Sequence, residues 1–171
     1  MAATDAVVVR TTVAPGDLGA VVRLHGLLYA REYGFDPTFE AYVAGPLAQF
    51  VLRAAPRERI WLAEQGGRLV GCVAIVAAED EGAAAEHGGV AQLRWYLVDP
   101  AARGRGLGTL LLREAVDFAR AQGYRSVILW TVSALVDAAR LYRAAGFERV
   151  EERPGRHWGV DVVEEKYALV P

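Results

Sequence analysis

The chain is short of the residues that staple small proteins together: its 171 residues include one cysteine, Cys72. A single thiol excludes an intramolecular disulfide and a multi-cysteine metal centre. Cys72 lies inside an apolar, strand-like run (residues 68–76) and reads as a small buried hydrophobe. Lysine is almost missing too. Lys166 is the only one, so the other 18 basic residues are arginines, whose planar fork of donors suits phosphate. With 19 basic residues against 21 acidic ones the net charge is −2. That balance gives no general attraction to nucleic acid or to an anionic membrane. No apolar run reaches the roughly 18 residues needed to cross a bilayer. The first five residues lack a basic segment followed by an apolar core, so they do not read as a signal peptide. What is present is a soluble globular balance, 53% apolar and 23% charged, at the length of one domain with a sizeable core. The expectation is a cytoplasmic protein with no nucleic-acid and no membrane partner.

Along the chain, residues 7–12 suggest a strand and Pro15-Gly16-Asp17 the start of a helix. Leu18, Val21, Val22, His25, Leu28, Tyr29 and Glu32 recur at three- and four-residue steps, so polar groups share a stripe that otherwise reads as buried. Gly34-Phe35-Asp36-Pro37 breaks this helix, and residues 38–54 suggest a second one, interrupted near Gly45-Pro46. Residues 60–64 and 69–76 flank Gly66-Gly67, a hairpin signal. Residues 79–89, acidic and rich in alanine and glycine, read as a mobile loop. Helical spacing returns at Leu107, Leu111, Ala115 and Phe118 until Gly123. Residues 126–131 are apolar on both faces, as in a central strand. A short helix over 137–145 ends at Gly146, and residues 147–151 and 160–169 read as final strands around a Pro154-Gly155 turn. The order is strand, two helices, three strands, helix, strand, helix, two strands. That is a mixed α/β fold with a largely antiparallel sheet, not a βαβ array.

One stretch carries the chemistry. Leu93 to Leu110 reads as an apolar strand, a Pro100 turn, the loop Arg103-Gly104-Arg105-Gly106-Leu107-Gly108, and then a helix. A glycine loop that opens a helix leaves main-chain amides unpaired at the positive end of the helix dipole, an anion site suited to a diphosphate. A P-loop would need a lysine followed by serine or threonine after its last glycine, and Leu107 follows Gly106 while Thr109 follows Gly108 with no lysine. A dinucleotide fingerprint starting at Gly104 would need glycine where Thr109 stands, and a βαβ unit near the N-terminus.

The loop instead resembles the Arg/Gln-x-x-Gly-x-Gly/Ala motif of the GCN5-related N-acetyltransferases (GNAT). Leu141-Tyr142-Arg143-Ala144-Ala145-Gly146-Phe147 is similar to their Leu-Tyr-x-x-x-Gly-Phe signature, and the element order is also the family's. The resemblance runs over residues 7–169, so residues 1–171 read as a single N-acetyltransferase domain. It implies a mixed, mostly antiparallel six- to seven-stranded sheet flanked by about four helices and splayed at strands 4 and 5. Within the superfamily, His25-Gly26, Tyr29 to Gly34, Phe39-Glu40-Ala41 and Leu129-Trp130-Thr131 resemble the acetyltransferase modules often fused behind MarR-type regulators. A homodimer is an expectation that only the family supplies.

The resemblance implies acetyl-CoA as cosubstrate, its pyrophosphate on the amides of Arg105, Gly106, Gly108 and Thr109 around Gly104 and Leu107. Arg103 and Arg105 add charge-assisted contacts. Leu97 and Val98 offer main-chain groups to the pantetheine arm and to the developing oxyanion. Ser133 substitutes for an asparagine that many members carry where Leu135 stands here. Tyr142 is implied as the general acid for the departing thiolate. Many relatives place a glutamate base on the strand before the loop, where this chain has Gln92 and Arg94. Glu32, Glu40, His25 and His157 remain as bases, with Glu40 and His25 foremost. Tyr29, Tyr33, Phe35, Phe39, Tyr42 and Trp158 would line an acceptor site for a small or partly apolar amine, or a peptide amine. The expected reaction is direct acetyl transfer to a primary amine, without a metal or a covalent enzyme intermediate. The alternative is a non-catalytic acyl-CoA-binding sensor or interaction module. Nucleic-acid binding through Arg103, Arg105, Arg113 and Arg120 is the poorest reading, because acidic residues are interspersed and no stacking platform is evident.

Overall fold

A computed structural model describes residues 6–78 and 89–171. Within these the chain forms seven strands and four α-helices. They run as β1 (Val8–Arg10), α1 (Asp17–Tyr33), α2 (Thr38–Arg53), β2 (Arg59–Gln65), β3 (Arg68–Ala77) and β4 (Val90–Val98), then α3 (Leu107–Ala121), β5 (Ser126–Val132), α4 (Val136–Ala144), β6 (Glu148–His157) and β7 (Val160–Leu169). The sheet order is β1-β2-β3-β4-β5-β7-β6. Every neighbouring pair is antiparallel except β4 and β5. The expected element order and mixed sheet are therefore present. The acidic segment expected as a mobile loop falls almost entirely on 79–88, outside the described residues, as does the N-terminal stretch 1–5. Among the described residues no helix is long and apolar enough to cross a membrane.

The sheet buries both faces. On one, Leu107, Leu111, Leu112, Ala115, Phe118 and Ala119 of α3 pack with Val73, Ile75, Leu93 and Val127. On the other, Val21 and Leu28 of α1 and Val43, Leu47 and Phe50 of α2 pack with Leu62, Cys72, Ala74 and Trp95. Each helix presents one apolar stripe and leaves its charges outside, as with the exposed Arg113, Glu114, Asp117 and Arg120 of α3. Burial of those stripes, at ~25 cal/mol per Å² of apolar surface, outweighs helix propensity in fixing where the helices lie.

Two expectations change. The helix over 38–53 is not interrupted: Pro46 lies inside a continuous α2. Proline removes one ladder hydrogen bond there, and the buried stripe of Val43, Leu47 and Phe50 spans the gap on either side. The last hairpin does not turn at Pro154-Gly155. Both residues sit within β6, opposite Val163 and Val162, and the reversal comes at Trp158-Gly159 between His157 and Val160. β6 is the last strand in the sheet, where a proline forfeits no ladder bond on the open side. Trp158 and Gly159 carry the positive φ values, 52° and 80°, that a two-residue hairpin needs.

Candidate active site

The central pair of strands is where the sheet comes apart. β4 and β5 pair in parallel over only three positions, Val90 to Gln92 with Ser126 to Ile128. Beyond them β5 stays with β7 as far as Val132, and β4 stays with β3 as far as Val98. The facing main-chain edges are left open. Trp95 takes φ 49° at a bulge where the β3 register slips between Cys72 and Ala74. The carbonyl that the bulge displaces accepts a hydrogen bond from the Cys72 thiol (Sγ to Trp95 O, 3.0 Å). Cys72 is thus buried as expected, and burial pushes its thiol up to about 12, so it is no nucleophile at neutral pH.

Cavities follow the gap. A cleft of about 540 Å³ lies between the C-terminal half of α1, the end of β4, the glycine loop and α4. Leu97, Val98, Arg103, Gly104, Gly106, Gly108 and Thr109 all line it. Gly106 precedes α3 at φ 80°, and no side chain caps that helix. Its first-turn amides are therefore left for a ligand. A Cβ built on Gly104 or Gly106 would meet nothing within 4 Å, so the space above the loop is open to a diphosphate. Gly108 is glycine for another reason: a Cβ there would stand 2.8 Å from the Tyr96 hydroxyl and 3.3 Å from Leu141 Cδ1.

Arg103 crosses the cleft mouth. Its Nε donates to the Val98 carbonyl at 2.9 Å, and its Nη2 pairs with Glu32 at 3.0 Å. One of the carboxylates left open as a base is thus engaged with the loop arginine. Arg105 and Leu107 do not line the cleft; Arg105 is exposed and Leu107 is buried in the core beneath α3. Ser133 does not line it either. It is exposed, with its amide bonded to the Val163 carbonyl, while Leu135 beside it faces the cleft.

A narrow chamber of about 90 Å³ continues from the cleft, sharing Tyr29, Tyr96 and Leu135 with it. Tyr142, at 4% exposure, lines this chamber with its ring 5.6 Å from that of Tyr96. Burial and the neighbouring tyrosines hold the Tyr142 phenol well above its ordinary pKa of 10, so it keeps its proton. Phe35, Phe39, Tyr42 and Trp158 form a wall of rings 4.9–6.0 Å apart. The α1 C-terminus sets that wall: Gly34 takes φ 72°, and the Gly34 and Phe35 amides turn back to the Ala30 and Tyr29 carbonyls. The opposite side of the sheet gap carries Thr131 and Glu164.

His25 reaches the chamber and Glu40 does not. The His25 ring stacks with Tyr29 at 6.0 Å between centroids, and its Nδ1 lies 2.8 Å from the Val21 carbonyl. That carbonyl can only accept, so Nδ1 carries the proton. Burial pulls the imidazole down to about 4. Glu40, in the first turn of α2, packs on Gly26 of α1, where any Cβ would run into it. It lines none of the cavities along the gap. His157 lies 3.4 Å from Glu164. Glu164 on β7, Arg94 on β4, and Asp137 and Arg140 on α4 are cavity-lining charges to which the sequence reading gave no role in the site. Alternation within a strand and helical phase were the available signals, but neither says which face meets a gap between two other strands.

Comparison with known proteins agrees with this geometry. The family model described as "Acetyltransferase (GNAT) family" matches residues 27–147. An uncharacterized N-acetyltransferase of Schizosaccharomyces pombe is 32% identical over 125 residues, covering 72% of each chain. The N-acetylaspartate synthetase of Danio rerio is 35% identical over 92 residues, which span 54% of this chain and only 30% of that longer protein. Among solved structures, yncA from Salmonella typhimurium with its cofactor acetyl-CoA superposes at a TM-score of 0.71, with 19% identity over 96% of this chain and 93% of that one. Parted central strands, an uncapped glycine-loop helix and the matching family model converge on one conclusion: the chain belongs to the GNAT acetyltransferase family.

Proposed function

We propose that this protein moves the acetyl group of acetyl-CoA directly to a primary amine of a small molecule or peptide. The observation that carries the reading is the meeting of two cavities in one sheet gap. The glycine-loop cleft fits the donor, the ring-walled chamber fits the acceptor, and Tyr29, Tyr96 and Leu135 line both. Two substrates held together need no covalent enzyme intermediate, and the buried Cys72 thiol offers none. The kinship to modules found behind MarR-type regulators rests on the runs around His25, Phe39 and Leu129, and no chemical step depends on it.

The chemistry follows from the residues around the junction. The acceptor arrives as an ammonium and gives one proton to Glu164. Accepting it neutralises the carboxylate, and His157 at 3.4 Å leads the proton outward. The same step on His25 would leave a buried cation, which desolvation opposes, so His25 acts as a neutral wall of the chamber. The free amine attacks the thioester carbon, while open main-chain amides near Leu97 and Val98 hold the developing oxyanion. As the carbon–sulfur bond breaks, Tyr142 gives its proton to the thiolate and recovers one from the new amide nitrogen. The burial that makes Tyr142 a weaker acid also makes a thiolate that reaches the chamber beside it a stronger base, so the proton match survives.

A coenzyme-release assay over amino acids, polyamines, aminoglycosides and peptide N-termini tests the activity. With any acceptor found, Tyr142→Phe should lower kcat by about 100-fold or more while acetyl-CoA binding holds within a factor of two. Glu164→Gln should lower kcat/KM most below the acceptor's own pKa. Unchanged turnover in Tyr142→Phe would remove it as the acid.

A further inference from the structure

Arg94 is an unusual side chain to find beside a site for a cationic substrate. It lies on β4, just before the bulge, and lines both the acceptor chamber and an adjoining groove of about 340 Å³ between α2 and the β4–β5 edge. Its guanidinium sits 5.3 Å from the Trp95 ring centroid and 5.9 Å from that of Tyr42. Among the described residues it has no carboxylate or carbonyl partner. The Thr131 hydroxyl, in the same chamber, is buried and also unpaired. Glu164 is the acid that lines the chamber.

A bare ammonium entering here meets a guanidinium that no carboxylate pairs directly, in a narrow, ring-walled space where like charges are poorly screened. An acceptor that carries its own anion removes that repulsion and gains a charge-assisted hydrogen bond. We propose that the acceptor is an amine bearing a carboxylate close to the amino group, that is, a small amino acid. Arg94 holds the carboxylate, Glu164 faces the ammonium, and the ring wall of Phe39, Tyr42 and Trp158 takes an apolar side chain. The width argues for one carboxylate rather than a bulky polyanion: the chamber offers about 90 Å³ at the reacting end. The inference rests on the acetyltransferase reading and adds the substrate class to it.

The test compares matched sets with acetyl-CoA: phenylalanine, phenylalaninamide and phenethylamine, then leucine, leucinamide and 3-methylbutylamine. The expected result is a kcat/KM for the acids on the order of 10- to 100-fold above the amides and amines, the worth of one charge-assisted hydrogen bond. In Arg94→Gln that ratio should collapse toward one through a rise in KM rather than a fall in kcat, and Arg94→Lys should restore part of it. Amines or amides used as well as the acids by the wild-type protein would overturn the proposal while leaving acetyl transfer intact. A preference that survives Arg94→Gln would overturn it too. If Arg94→Gln does not fold, the wild-type ratios and Arg94→Lys decide. Failure to acetylate any member of either set, with acetyl-CoA binding shown by calorimetry, would overturn the substrate class; extending the release assay to polyamines, aminoglycosides and peptides then decides the acetyltransferase reading separately.

Discussion

Replacing His25 by glutamine removes a titrating group whose folded and unfolded states differ sharply. In the folded chain the ring is 3% exposed, donates to the Val21 carbonyl and titrates near pH 4; unfolded, it returns to about 6.5. Between those values the unfolded chain binds more protons than the folded one, so stability is lost as pH falls. The loss attributable to His25 works out at about 2 kcal/mol at pH 5 and about 3 kcal/mol at pH 4, relative to pH 7. Urea unfolding followed by circular dichroism, at pH 7 and pH 5, measures it directly. The wild-type midpoint should move down further than the glutamine variant's by about 1 M, given a slope of ~2 kcal/mol/M. All other carboxylates and histidines titrate alike in both proteins and cancel. Parallel midpoint shifts would refute the assignment of His25 as a buried neutral imidazole, and with it the reason for excluding His25 as the base.

Two further substitutions probe the donor cleft. Gly108→Ala places a methyl 2.8 Å from the Tyr96 hydroxyl; overpacking of this kind costs about 1–3 kcal/mol, and acetyl-CoA affinity by calorimetry should fall with it. Adding Tyr96→Phe removes the obstructing oxygen and should recover most of the loss; no recovery would mean that the methyl blocks the ligand and not the tyrosine. Glu32→Gln frees Arg103 from its ion pair at 3.0 Å and strips an anion from the rim of a diphosphate site. Acetyl-CoA should bind about two- to fivefold tighter, matching the 0.3–1 kcal/mol scale of exposed pairs. Weaker binding would show that the pair instead holds α1 in place for the ligand.

Much of this site was legible in the chain because its donor half is built from consecutive residues. Arg103, Gly104, Gly106, Gly108 and Thr109 fall within seven consecutive positions, and the glycines there answer to main-chain needs that any sequence must display in order. Tyr142 stood out through the residues flanking it, and it lines the chamber. The acceptor half is not contiguous. Arg94, Thr131 and Glu164 come from three strands, and they meet only because β4 and β5 stop pairing after Gln92 and Ile128. Nothing in the run from Leu93 to Val98 announces a bulge: Trp95 is an aromatic in a left-handed conformation that favours glycine or asparagine. Trp158 hid the final turn in the same way, while Pro154-Gly155 offered a stronger local signal that edge placement overrode. Glu40 kept the right chemistry on the wrong face, since helical phase places it against Gly26.

These same departures say where the fold holds its strain. Three non-glycine residues take positive φ among the described residues, and two of them, Trp95 and Trp158, line the acceptor chamber. Among the described residues the two buried side-chain hydroxyls without partners, Tyr96 and Thr131, line it as well. A left-handed residue of this kind costs about 1–2 kcal/mol, and an unpaired buried hydroxyl about 1–3 kcal/mol. Spread at random, such costs would find relief elsewhere in the sheet; gathered around one gap, they mark groups kept in place for a ligand. Continued pairing of β4 with β5 would satisfy the open main-chain edges and erase the gap. The bulge at Trp95, tied down by Cys72, turns β4 away before that can happen. The sheet therefore stays parted in the free protein, and a ligand entering the gap meets a site whose ordering cost is already met by the α3 and α1–α2 cores on either face.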